Sequence, residues 1–163
     1  MSVTAEALGL VNPDLCRLLA YWCERRGERA MPQRVDLDPL DFRYMLGSIV
    51  LVDVESDPGG DGHRFRFRLV GVHVVEHAGR DLTGRYLEDY PGQEFAEQLK
   101  ASYAALVQGA VPRRVQRREF YDGRFYDMEG LLLPLGAGGI VTMIMVAIAF
   151  GPWEIDRYLP EFR

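Results

Sequence analysis

His73 and His77 stand four residues apart with Glu76 between them, a spacing at which a helix presents both imidazoles on one face. Two chemistries use such a pair. A metal ion would need a third and a fourth converging ligand, and the sequence shows none beside them. General acid–base work would join the pair to Asp81, but no nucleophile motif accompanies the three residues. The pair is therefore read as two partly buried, hydrogen-bonded histidines. No catalytic residue and no metal ligand is assigned.

Other reactive types are weighed in the same way. Cys16 and Cys23 are seven apart in a helical stretch, on one face but about 10 Å apart along the axis, too far for a bridge. Gly79 to Gly84 has two glycines but lacks the lysine and the strand–turn–helix setting of a phosphate loop. It reads as a loop with unusual backbone angles. Arg113, Arg114, Arg117 and Arg118 form a basic cluster that a strand would divide between its two faces, with Glu119, Asp127 and Glu129 near enough to pair across strands. Tyr126, Met128 and Leu132 share one strand face, and Met143 and Met145 share another. Adaptable thioethers there suit a core or a pocket for an apolar ligand.

These residues are positioned by a recognisable order of elements. Asn12-Pro13-Asp14 is a helix start, and Arg25, Arg26 and Gly27 form its end, with Leu15, Leu18, Leu19 and Trp22 as the apolar stripe. A second, short helix starts at Asp38-Pro39 and stops at Gly47. Ser48 to Val54 is apolar on both faces, as in a central strand. After a Gly-rich turn at 57–62, His63 to Val70 alternates, with Phe65, Phe67 and Leu69 on one face and Arg64, Arg66 and Arg68 on the other. Val72 to Ala78 is a short helix, and Gln93 to Val107 a longer one with Phe95, Leu99, Tyr103 and Leu106 on one side. Val111 to Phe120, Arg124 to Leu133 and Ile140 to Phe150 are strands, joined at Asp122-Gly123 and across Pro134 to Gly139. An α+β fold follows, with an antiparallel sheet in the order 2-1-5-4-3. Helices lie on one face, and an N-terminal helix is added.

The chain has 163 residues and a net charge of −5, suited to one domain and offering phosphate backbones no broad attractive field. Residues 1–10 have no signal-peptide character, and the apolar run 140–150 is about half of what a bilayer needs. With two unbridged cysteines, these features favour the cytoplasm, without nucleic acid or membrane as partner.

The set of residues, taken in order, resembles a family. Tyr21-Trp22 is followed by Arg26-Gly27, Met31-Pro32, Asp36-Leu-Asp-Pro39, Leu51-Val-Asp-Val54, Phe67-Arg-Leu-Val-Gly71 and Gly79-Arg-Asp-Leu-Thr-Gly84. This is similar to a PAS-like domain family of short, mostly uncharacterised alphaproteobacterial proteins. The resemblance covers about residues 21–150 and implies a sensing or signalling domain that commonly dimerises. It also implies which chromophores are missing. The segment matching the reactive cysteine of flavin photoreceptors has none. The cysteines lie upstream of the sheet, and the helix that supplies an axial histidine to haem has no histidine.

The reading is a helical extension over residues 1–30, a PAS-like domain over 31–151 and a tail over 152–163. Its function is sensory or regulatory, with no enzyme activity and no cofactor. A small apolar ligand would lie between the inner sheet face and the helices, lined by Phe67, Leu69, His73, His77, Tyr86, Tyr103, Tyr126 and Met128. Signals would pass to a separate signalling protein or within a homodimer. Leu15, Leu18, Leu19 and Trp22 would cover the outer sheet face, from the same chain or from a second subunit. The alternatives are a ligand-free interaction module of the same fold, or a small enzyme using His73, His77 and Asp81.

Overall fold

Alternating apolar positions need a surface on each side of a sheet to bury them, and this chain supplies both surfaces. The computed structural model describes residues 2–121 and 124–150; the side chains of residues 119–126 fall outside that description, as does the Asp122-Gly123 connection. The elements are α1 (Ala5–Leu8), α2 (Pro13–Arg26), β1 (Ile49–Ser56), β2 (His63–Val70), α3 (Val72–Ala78), α4 (Gln93–Gly109), β3 (Arg113–Tyr121), β4 (Arg124–Ala137) and β5 (Ile140–Ala149). Every pairing is antiparallel, and the strand order is β2-β1-β5-β4-β3, as the sequence predicts.

The N-terminal helix forms where its caps place it. The Asn12 side chain accepts from the N–H groups of Asp14 and Leu15 at 2.9 and 3.2 Å, Pro13 opens the helix, and Gly27 ends it at φ +58°. Leu15, Leu18, Leu19 and Trp22 are no more than 1% exposed. They lie on the outer sheet face of their own chain, over β4 and β5. The indole Nε1 of Trp22 donates to the Pro134 carbonyl at 3.0 Å. The stripe, expected to cover that face from the same chain or from a second subunit, packs here within one chain. Short α1, which the sequence reading did not include, folds back on α2, where the Cys16 and Cys23 thiols meet the carbonyls of Leu10 and Val3 at 3.8 and 3.5 Å.

Three local expectations differ from the structure. Pro39–Ser48 is 3-10 rather than α-helical, because Phe42 leaves helical angles (φ −123°, ψ 31°) so that Phe42 and Met45 both enter the core. Its Asp38 cap is nevertheless present, accepting from the Leu40 N–H at 3.0 Å. Asp38→Ala is expected to lower stability by about 1 kcal/mol, read as a lower urea midpoint at unchanged slope. β4 runs on through Pro134 to Ala137, and the turn contracts to Gly138-Gly139 at φ +61° and +78°. Two consecutive positive φ values make the tight turn that suits a twisted hairpin.

The third difference reorients a strand. Leu51 pairs with Leu69 but Val52 pairs with Phe67, so Arg68 is an extra residue in β2. The bulge breaks the alternation. Phe65 and Phe67 point inward and are buried, whereas Leu69 turns to the outer face and is 44% exposed. Arg68 reaches Asp53 on that face at 3.6 Å.

Candidate ligand-binding site

Parity from the register decides what faces the helices. Val50 of β1 is opposite Val146 of β5, which is opposite Leu132 of β4, so these three share the inner face. Met143, Met145, Leu131, Leu133 and Leu135 fall on the other face and belong to the core under α2. On β3, Arg117 is opposite Met128 and therefore points inward, while Arg114 and Arg118 point outward. Arg118 pairs with Asp127 at 2.8 Å, and Arg114 approaches Glu129 at 3.6 Å. Glu129 also accepts from the Val11 N–H at 2.9 Å, which ties the start of α2 to the outer face. The basic cluster is thus divided as the sequence suggested, with one difference: Arg117 stands at the hollow beneath the helices.

That hollow has two adjoining compartments. One, of about 110 Å³, lies under α3 and α4 and is lined by Phe67, Val74, His77, Leu82, Tyr103 and Val146, among others. The other, of about 280 Å³, lies between α4 and strands β3–β5, with Gln98, Ser102, Val115 and Gly130 in its wall. Phe95, Leu99, Arg117, Met128, Val146 and Ile148 line both. The absence of a side chain at Gly130 contributes to the space, since a Cβ there would stand 2.6 Å from a Val115 methyl.

Of the four helical residues named from periodicity, Tyr103 and Leu106 anchor α4, and Phe95, Leu99 and Tyr103 border the hollow. Tyr103 and Leu106 are fully buried, the Tyr103 ring meeting Phe65 edge-on at 5.4 Å. Burial, with a smaller contribution from Tyr90, holds the Tyr103 hydroxyl well above the usual phenol range, so it stays a neutral polar group at the wall. Phe95 and Leu99 are only half-buried. The Arg117 guanidinium stacks 3.7 Å from the centre of the Phe95 ring.

Of the eight residues expected to line a site, Phe67, His77, Tyr103 and Met128 do so. Leu69 is turned out by the bulge. His73 lies instead over Gly47, where its ring occupies the space that a Cβ would need, and its Nδ1 is 3.8 Å from Glu76. Tyr86 sits outside the sheet edge, between the Arg64 guanidinium at 3.7 Å and Arg66 at 5.8 Å. Its hydroxyl is held above the ordinary range, first by a hydrogen bond to Glu55. The Tyr126 side chain is outside the described residues. Arg117, Phe95 and Leu99 were missed as lining; the signal for them was the parity of β3 and the apolar side of α4.

The remaining motifs have structural work. Gly79 and Gly84 adopt φ +79° and +83°, and Gly84 and Arg85 hydrogen-bond to Phe67 at 2.6 and 2.9 Å, covering the open edge of β2. Asp81 accepts from the Thr83 N–H and hydroxyl at 2.9 and 2.6 Å, which hold its carboxyl below the usual range. Among the described residues, no three His, Cys, Asp or Glu side chains cluster as metal ligands, and no helix is long and apolar enough to cross a membrane.

Comparison with known proteins agrees with this architecture. The PAS domain from Bordetella pertussis BvgS superposes with a TM-score of 0.51 at 17% identity, covering 77% of this chain and 97% of that one. The Rhodobacter sphaeroides LOV protein gives 0.43 at 14% identity, over 70% of this chain and 68% of that one. A domain of an HTR-like protein from Haloarcula marismortui gives 0.40 at 14% identity, over 63% and 97%. No curated protein matches the chain. A family model described as a PAS domain matches residues 11–144, a span that takes in α2, both helices over the hollow and nearly the whole sheet, and on that match the chain belongs to the PAS domain family.

Proposed function

We propose that this PAS domain is a sensory module that takes a small, largely apolar molecule into the hollow under α3 and α4. Its occupancy would be passed on through non-covalent partners, a second copy or a separate signalling protein. The observation that carries this reading is the unequal seating of α4. Tyr103 and Leu106 fix its second half in the core, while Phe95 and Leu99 in its first half border the space. A ligand below Leu99 favours one position of that half over another, and a partner that reads the exposed side of α4 then binds one state better. His77, at the wall with its ring 4.9 Å from Phe150, supplies a polar contact from α3.

A second reading, a ligand-free interaction module, draws on the size of the inner compartment, about 110 Å³, against the roughly 300–1,000 Å³ of ordinary ligand pockets. Leu99→Trp separates the two. It places an indole in the space that both compartments share. Native mass spectrometry of gently purified protein is expected to show a retained small molecule in the unaltered chain. In the variant it should be absent, at equal or higher melting temperature. If the unaltered chain carries nothing and takes up no indole, the interaction module is the correct reading. A catalytic role for His73, His77 and Asp81 draws no support from geometry, since Asp81 is engaged by Thr83 and His73 lies over Gly47.

A further inference from the structure

One hydroxyl group is set into the apolar wall of this hollow with nothing to bond. Tyr103 projects from the buried side of α4, is 2% exposed and borders the inner compartment. Its ring is held by the edge-on contact with Phe65 at 5.4 Å. Among the described residues, no protein group hydrogen-bonds to its hydroxyl. The hydroxyl is nevertheless not sealed off by its neighbours, and the open space that its side chain borders is the inner compartment. The ionisable neighbour that acts on it is Tyr90, another phenol bordering the same compartment; no charged side chain among the described residues does so. Burial keeps this phenol protonated, and a buried hydroxyl without a partner costs free energy.

On the reading that the hollow binds a small molecule, we infer that its ligand is a neutral carbonyl compound: an apolar body with one ketone or ester oxygen that accepts from the Tyr103 hydroxyl. The body lies beneath Leu99 and Val146, where the two compartments adjoin. The outer compartment, about 280 Å³, exceeds the roughly 150 Å³ of an engineered apolar cavity that takes up benzene. A phenol has one proton to give, and the side chains of Phe67, Leu82 and Val146 on the same wall offer no competing acceptor. A carboxylate would have to shed its water shell for this single neutral donor, which does not offset the loss. A hydrocarbon of the same shape would leave the hydroxyl unpaired, and a site that offers a buried polar group discriminates against such an analogue.

The test titrates acetophenone, its hydrocarbon isostere α-methylstyrene and benzoate into the full, isotope-labelled chain at neutral pH, followed by nuclear magnetic resonance. Tyr103→Phe keeps the ring and its contact with Phe65. It is expected to weaken acetophenone about three- to tenfold and to leave α-methylstyrene unchanged or tighter. Benzoate should bind more weakly than acetophenone. The infrared carbonyl stretch of acetophenone bound to the unaltered chain should lie below its position in alkane solvent, which tests the hydrogen bond without any substitution. An acetophenone affinity that Tyr103→Phe does not lower, an unshifted carbonyl band, tighter binding of benzoate or uptake of the hydrocarbon alone overturns the carbonyl assignment. Each of these leaves the ligand-binding reading standing. Failure of all three probes to bind overturns the two together.

Discussion

Removing residues 1–27 is expected to leave a chain that aggregates, and Trp22→Ala to cost about 3–5 kcal/mol of stability. The reason lies in how the outer sheet face is covered. Leu131, Leu133, Leu135, Met145 and Ala147 are no more than 1% exposed only because Leu15, Leu18, Leu19 and Trp22 lie on them. Truncation would return an apolar stripe of two central strands to water, and contiguous patches of that kind drive association. The single substitution removes the largest of those side chains and also the donor to Pro134, whose buried carbonyl would lose its 3.0 Å partner. Urea unfolding gives the size of the loss, and light scattering gives the state of the truncated chain. Leu40→Ala, 70% exposed, is the control and should shift stability by no more than about 0.5 kcal/mol. A truncated chain that stays soluble, equally stable and in the same oligomeric state would show that the outer face does not depend on α2.

Gly71→Ala is expected to cost about 1–3 kcal/mol and to impair the site at the same time. Gly71 is the corner between β2 and α3, and its N–H donates to the Ile49 carbonyl at 2.8 Å. A Cβ there would lie 2.3 Å from the Gly47 carbonyl oxygen and 2.9 Å from that of Ile49. Both obstacles are backbone, so no side chain can swing away to make room. The corner must open. The shift passes directly to α3, which carries Val74 and His77 to the hollow. The expected outcome is a lower melting temperature together with weaker uptake of apolar probes. The same substitution at Gly60, where a Cβ would meet nothing within 4 Å, should leave uptake unchanged. Loss of stability without any change in uptake would separate the corner from the site.

Much of this architecture was legible along the chain because its signals are local. The Asn12-Pro13 start, the Gly27 stop and the double-sided apolar runs at 49–54 and 140–149 each depend on neighbours a few residues away. They sufficed for the long helices and the strands, and through burial logic for the strand order, but not for short α1. The family resemblance added the expectation of a sensing domain. What local periodicity could not carry was anything set by pairing between distant strands. Leu69 reads as inward from the pattern 65-67-69, and it is the extra residue Arg68, accommodated against β1, that turns it out. Arg117 reads as one of four basic residues, and only its position opposite Met128 brings it to the hollow. Pro134 and Gly136 read as a turn, yet the strand runs through them because Trp22 and Pro32 supply partners from far away in sequence. The sequence by itself determined the main helices and the five strands, and the apolar faces wherever the alternation is unbroken. Tertiary structure decided which residues share the cavity, because a one-residue bulge changes the face of the side chains beyond it while leaving the sequence pattern almost untouched.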